Sequence, residues 1–316
     1  MTKPVCFRSI TKESFCLRHS SVQDFLLPWF NDNVLVYAVW TSICSLYCLS
    51  MILYSGLCSE HGIKILIWLT YWSFYCLFLR FAVTAANCWH SWVSQHGNIP
   101  KENEKQCSYS DDVESACMQC CLQQQEQTGN DLQPKRQDSN FPLIEKEFPK
   151  AVAVQWVLQN ISNVSSLLVT VMFWALVYTG NSQTYVSINS HIMNSVLVLC
   201  DIMISRAPCR LQHLYIPLSF NVSYVLFTFI YWIAGGTNNQ GQHYIYKMLD
   251  YTQAPGKAAV TITLVCLIAL PLAYILVFGL FQLRDLVCRW YNKRGMNGHS
   301  DRNVVFSKDK TETGKS

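Results

Sequence analysis

Two residues in apolar surroundings carry the chemistry this sequence has to offer. Thr70 stands in "WLTYW" and His191 in "SHIMNS". A threonine hydroxyl is inert at neutral pH until a base within hydrogen-bond reach takes its proton. Histidine suits that task, with an unperturbed pKa near 6.5. Asn194, one turn past His191, is spaced to orient the ring or to hydrogen-bond a developing oxyanion. Together they would make a nucleophile, a base and a supporting donor for acyl transfer. A structural reading is equally open. Thr70 would bond the carbonyl one turn back, and His191 would tie two helices together.

Arg80 and Asp201 each lie ten residues further along from Thr70 and His191. Ten residues of helix rise about 15 Å and turn the face by only about 80°. Two parallel helices would therefore carry an outer polar residue and an inner charge at matching levels. An unpaired charge in hydrocarbon costs several kcal/mol, so Arg80 and Asp201 are expected to neutralise each other as a structural pair. A proton or ion path is the sharper alternative, but one such pair in the whole chain makes a poor transport route.

These residues need apolar helices to hold them. Of 316 residues only 14% are Asp, Glu, Lys or Arg, and half are apolar. A soluble domain carries about 25% charge. The apolar residues also cluster in long runs, which predicts an all-α, six-span transmembrane bundle. The spans fall at about 34–57, 63–87, 153–178, 185–205, 212–234 and 258–283, with Pro271 as a kink site in the last. Trp29, Trp40, Trp89, Trp92, Trp174, Trp232 and Trp290 lie near span ends, as interfacial anchors do. The third span adds a polar stripe at Gln155, Gln159, Ser162, Asn163 and Ser166, and the fourth adds Asn194, Ser195 and Ser205. Such stripes are expected to face the bundle interior.

Orientation follows from charge. Twenty of the twenty-four Lys and Arg fall in 1–33, 88–152, 206–210 and 284–316. Lys64, Lys247 and Lys257 lie on the opposite side, and Arg80 lies within a span. The positive-inside rule puts both termini in the cytosol. The chain then divides into a cytosolic segment at 1–33, two spans in 34–87, a polar loop at 88–152, four spans in 153–283 and a tail at 284–316. Residues 1–33 lack the pattern of a secretory signal, and the Gln-rich stretch 101–147 reads as disordered. The membrane is either the plasma membrane or an endomembrane.

Other chemistries find no support. The fifteen cysteines are scattered, and Cys107, Cys117, Cys120 and Cys121 form one C-x-x-C without a partner pair. They read as reduced thiols, open to acylation like Cys88, Cys209 and Cys288 at inner span ends. His61, His191 and His243 share the outer side without metal-ligand spacing. No metal, cofactor or nucleic-acid partner is expected. The N-x-S/T matches at Asn160, Asn163 and Asn221 fall within spans, where glycosylation is excluded. Of the outer loops only 235–257 is long enough to engage a protein partner.

The stretches "ILIWLTYWSF", "HIMNSVLVLCDIMISRAPCRLQHLYIPL", "YVLFTFIYWIAGGTN" and "YIYKMLDYTQAPGKA" resemble the rolling stone family of multi-pass membrane proteins. The resemblance runs from about residue 25 to 290, apart from 101–147. It implies a role in cell–cell fusion of myoblasts and in muscle development. More distantly the chain is similar to the androgen-induced-protein family of intramembrane hydrolases, which cleave esters of branched hydroxy fatty acids. That likeness implies Thr70 as nucleophile, His191 as base and a lipid-ester substrate drawn from the membrane.

The charge asymmetry makes a testable prediction. Tags at the N-terminus, at about Gly129 and at the C-terminus should be reached by antibody only after permeabilisation. A tag at about Asn239 should be labelled on intact cells. Labelling of Gly129 from outside would overturn the orientation.

Overall fold

The computed structural model describes residues 15–58, 62–97, 149–178 and 189–312, without strands among them. Residues 98–148, which hold most of the loop expected at 88–152 and Cys107, Cys117, Cys120 and Cys121, lie outside the described residues, as do His61 and the expected start of the fourth span at 185. The chain divides into two units, Met1–Val93 with Phe148–Ser316 and Ser94–Glu147. The second is described only at 94–97, where a helix ends.

Seven helices carry the fold: α1 (Val34–Cys58), α2 (Leu69–Gly97), α3 (Lys150–Met172), α4 (Asn194–Ile204), α5 (Tyr215–Ile233), α6 (Pro255–Leu264) and α7 (Leu270–Glu312). Among the described residues five stretches are long and apolar enough to cross a membrane, namely Val34–Leu57, Leu69–His96, Lys150–Ala175, Leu211–Ile233 and Pro255–Tyr291. The expected fourth span is a shorter apolar helix, His191–Ile204. At 1.5 Å per residue it covers about 20 Å, less than a hydrocarbon core of about 30 Å.

The second and last spans depart from the hydropathy reading, and both helices run past their expected ends at 87 and 283, to Gly97 and Glu312. The second span was expected from residue 63, but Gly62–Ile67 winds a tight 3₁₀ turn and the helix proper starts at Leu69. Gly62 enters that turn with a φ of 53°, a conformation glycine adopts without steric cost. In the last span the ladder is disturbed ahead of Pro271, at the π turn Val265–Ala269. Proline has no N–H to offer the carbonyl four residues back, and that carbonyl belongs to Leu267.

The core is apolar and aromatic. Cys44, Cys48, Phe74, Leu77, Phe81, Val164, Val198, Ile202, Leu270 and Tyr274 form its centre. Leu46, Leu57, Ile230, Leu267 and Leu276 point outward and are exposed, as on helices that face lipid. Gln155, Gln159, Ser162, Asn163 and Ser166 are all buried. Asn160 and Asn221 are also buried and donate to the carbonyls of Trp156 and Pro217, each at 2.8 Å.

The buried charges explain how these helices stay in register. Arg80 of α2 and Asp201 of α4 form an ion pair, and both are almost fully buried. Asp201 also accepts from the Tyr37 hydroxyl and the Trp40 indole, each at 3.1 Å. Arg80 donates to Asn163 Oδ1 at 3.0 Å and lies 4.9 Å over the Phe81 ring. Four helices, α1 to α4, thus meet at one charge-assisted network. Trp40, expected as an interfacial anchor, is one of its donors.

The segment before α1 is also part of the fold. Phe25, Leu26 and Leu27 are buried, and Pro28 forms an isolated β-bridge with Ser205. Gln155 donates to Phe25 O at 2.8 Å, Arg206 N–H to Leu27 O at 3.1 Å, and the Trp29 indole to Met203 O at 2.6 Å. The apolar run in "QDFLLPWF" is what the segment buries across the ends of α3 and α4.

Removing one partner of a buried pair strands the other, at about 3–5 kcal/mol. Arg80→Leu and Asp201→Asn should each lower folded yield and thermal stability in detergent, and the double change should recover part of the loss. Harmless single changes would mean that the network does not hold the bundle.

Candidate functional site

The network fixes α2 against α4, and the candidate residues stand toward the opposite ends of those helices from Gly97 and Ile204. Thr70 is the second residue of α2. The first N–H groups of a helix have no intrahelical partner. Here the Leu69 N–H is taken by the Tyr246 phenol at 3.1 Å, which comes from the loop between α5 and α6. The same phenol engages the Thr70 and Tyr224 hydroxyls, and burial pushes its pKa up to about 12. Tyr224 donates onward to Ile67 O at 2.7 Å. Trp68 meets Tyr246 edge-on at 5.0 Å and Trp72 meets Tyr224 at 5.3 Å. Thr70 is therefore buried under a roof of aromatic side chains.

His191 is presented differently. It lies in a π turn, Asn189–Met193, that leads into α4. Its ring lies flat on Phe173, with centroids 3.5 Å apart and planes 9° from parallel. Phe173 itself opens a second π turn, Phe173–Val177, at the end of α3. Such widened turns occur in short pieces and frequently at functional sites. Thr170 donates to the His191 carbonyl, and its hydroxyl lies 2.8 Å from Ser195 Oγ. Ser166 donates to Asn194 Oδ1 at 2.6 Å, and Ser195 donates to Ser166 O at 3.2 Å. These hydroxyls stitch α3 to the start of α4.

What the stitching leaves over defines the candidate site. His191 Nδ1, Asn194 Nδ2, Ser165 Oγ and Ser73 Oγ are buried and have no hydrogen-bond partner among the described residues, as is also true of Ser205 Oγ, both ring nitrogens of His213 and Asn239 Oδ1 elsewhere. Other hydroxyls in these helices bond back to their own backbone, as Thr41 does to Tyr37 O and Thr84 to Arg80 O, both at 2.8 Å. A buried polar group left unmade costs about 1–3 kcal/mol. Ser73 stands seven residues from Arg80, and Asn194 stands seven residues from Asp201. Both thus lie about 10 Å along their helices from the ion pair.

The structure thus brings Arg80 and Asp201 into contact, and it sets Asn194 one turn from His191. No hydrogen bond joins Thr70 to His191 among the described residues. Ser73 was not picked out from the sequence, although the depth rule that pairs Arg80 with Asp201 also pairs it with Asn194. Tyr246 carried no signal, because its place depends on how a loop folds back. Toward the other side of the ion pair a void of about 10 Å³ is lined by Gln159, Asn160, Asn163 and Tyr274 among others. That is the space of one water molecule.

Comparison with known proteins bears on what this arrangement is for. A family model described as "Protein rolling stone" matches residues 135–297. A curated relative, protein rolling stone of Drosophila melanogaster, is 29% identical over 150 residues, covering 46% of this chain and 54% of the relative. The chain thus matches about half the length of that relative. No solved structure matches it.

Replacing Tyr246 with Phe leaves the Leu69 N–H at the start of α2 without its partner. The expected loss is about 1–3 kcal/mol, read as a lower unfolding temperature in detergent. An unchanged unfolding temperature would mean that the phenol does not hold the start of α2.

Proposed function

Because the chain belongs to the rolling stone family, we propose that it is a six-span membrane protein, with both termini in the cytosol, that hydrolyses long-chain lipid esters at Thr70 and His191. Five long apolar helices support the multi-pass plan, and the shorter apolar helix His191–Ile204, with the π turn at its start, is the candidate for the sixth crossing. The distribution of Lys and Arg supports the orientation.

One observation carries the catalytic reading. His191 Nδ1 and Asn194 Nδ2 are both buried and unpartnered, one helical turn apart. A site that must accept a proton and donate to an oxyanion needs both groups. Thr70 Oγ attacks the ester carbonyl and loses its proton to His191. The carbonyl oxygen becomes an oxyanion that Asn194 Nδ2 hydrogen-bonds. Collapse of the tetrahedral intermediate breaks the ester C–O bond, and the leaving alcohol takes the proton from His191. Water, deprotonated by the same ring, then releases the fatty acid from Thr70. In the resting structure Thr70 engages Tyr246, so substrate must draw the hydroxyl toward His191. Catalytic hydrogen bonds of this kind tighten only in the complex.

The fusion role that the resemblance implies is compatible with this chemistry. The outer loops read as short, at about 58–62, 179–184 and 235–257, which favours action on the lipids of a plasma membrane over adhesion.

The test is hydrolysis of a panel of long-chain esters by purified protein. Thr70→Ala and His191→Ala should fold and lose activity to a similar extent, since a nucleophile and its base act as a unit. Thr70→Ser should keep part of it. Full activity in Thr70→Ala, or none in the unaltered protein on any ester, leaves Thr70 and His191 as structural residues only.

A further inference from the structure

Beside the roof over Thr70 lies an open groove of about 380 Å³, lined by Lys247, Met248, Gly256, Lys257, Val260 and Thr261. It runs between the short 3₁₀ turn Lys247–Leu249 and the first two turns of α6. We propose that this groove binds an anionic phospholipid, with the headgroup phosphate on Lys247 and Lys257 and an acyl chain running down α6.

Charge is the first argument. On the side opposite the basic loops the sequence places only three Lys or Arg residues, Lys64, Lys247 and Lys257. Lys64 is engaged, donating to Thr237 Oγ1 at 3.3 Å and Asn238 O at 3.2 Å. The ammonium groups of Lys247 and Lys257 have no hydrogen-bond or ion-pair partner among the described residues. The nearest carboxylate in sequence, Asp250, forms no ion pair with either lysine among the described residues and accepts from Thr252 N at 3.0 Å and Gln253 N at 2.8 Å through Oδ1. Two uncompensated cations therefore line one groove, whose size exceeds a bare phosphate and suits a headgroup with its glycerol.

The groove leads onto an apolar surface. Val260, Leu264, Leu267 and Ile268 are all exposed. They recur at intervals of four, seven and eight residues, so they form one apolar stripe that starts in the groove and continues along α6 and the π turn behind it. Met248 and Val260 make the floor of the groove apolar. A soluble anion would use the lysines and leave the stripe idle, whereas an amphiphile uses both. Anionic lipids concentrate in the cytosolic leaflet. On the outer face such a groove would fill only with anionic lipid that has been turned outward.

The proposal takes from the preceding section only the outer placement of residues 235–257. Binding itself is tested without it, in nanodiscs of phosphatidylcholine with or without phosphatidylserine, followed by native mass spectrometry of retained lipid. The full-length protein should retain phosphatidylserine in preference to phosphatidylcholine. Lys247→Gln/Lys257→Gln should weaken retention roughly thirtyfold, from about fivefold per lysine near a membrane surface. Both lysines are exposed, so the variant should keep its helical content and elution volume. Lys101→Gln/Lys105→Gln removes the same charge elsewhere and should change nothing. Equal losses in the two variants, or no preference for phosphatidylserine, overturn the proposal. Displacement by free inorganic phosphate at concentrations that leave the lipid bilayer intact would reduce the groove to a simple anion site. A wrong orientation would leave these affinities intact and show instead in the labelling of a tag at Asn239.

Discussion

A guanidinium and a carboxylate buried together in an apolar bundle are the constraint on which this structure turns. Neither Arg80 nor Asp201 can face lipid, and neither tolerates the loss of the other. The pair also needs its remaining hydrogen-bonding capacity filled. Tyr37 and Trp40 supply α1, Asn163 supplies α3, and the register of all four helices follows. Dispersion and shape pack the aromatic core around it, but apolar helices in lipid slide easily without polar contacts. The network is what selects one arrangement.

The candidate site sits two to three helical turns from that anchor. The hydroxyls of Ser166, Thr170 and Ser195 are satisfied between α3 and α4, while His191 Nδ1, Asn194 Nδ2, Ser165 Oγ and Ser73 Oγ have no partner among the described residues. Groups left unpaired in a low-dielectric interior are costly, and they are also the groups that respond most strongly when a partner arrives. The rigid pair and the unsatisfied layer are complementary. The first holds helices at fixed height, and the second can then afford polar atoms aimed at nothing within the protein.

Much of this was legible in the sequence, for reasons that differ by residue. Arg80 and Asp201 could be matched because a charge in an apolar run must find its opposite at the same depth. The buried stripe of α3 could be read because polar residues recur at helical spacing. Trp40 was misread, since a tryptophan near a span end looks like an interfacial anchor until the neighbouring helix brings a carboxylate to it. The short reach of α4 and the π turns beside His191 and Phe173 have no periodic signature. Tyr246 was invisible for a different reason, because loop residues are placed by tertiary contacts that hydropathy does not encode. The run "FLLPWF" did announce burial, but a polar neighbourhood masked it.

The packing of residues 15–33 sets an order of events in assembly. This segment is made before the spans that follow it, yet its partners at Met203, Ile204 and Arg206 lie more than 170 residues later in the chain. It must wait, unpaired, while the intervening spans are threaded into the bilayer. Its docking is therefore a closing step, and it joins residues made before α1 to helices made long afterwards. Quality control that samples an exposed "FLLPWF" would read it as the mark of a bundle still missing α4.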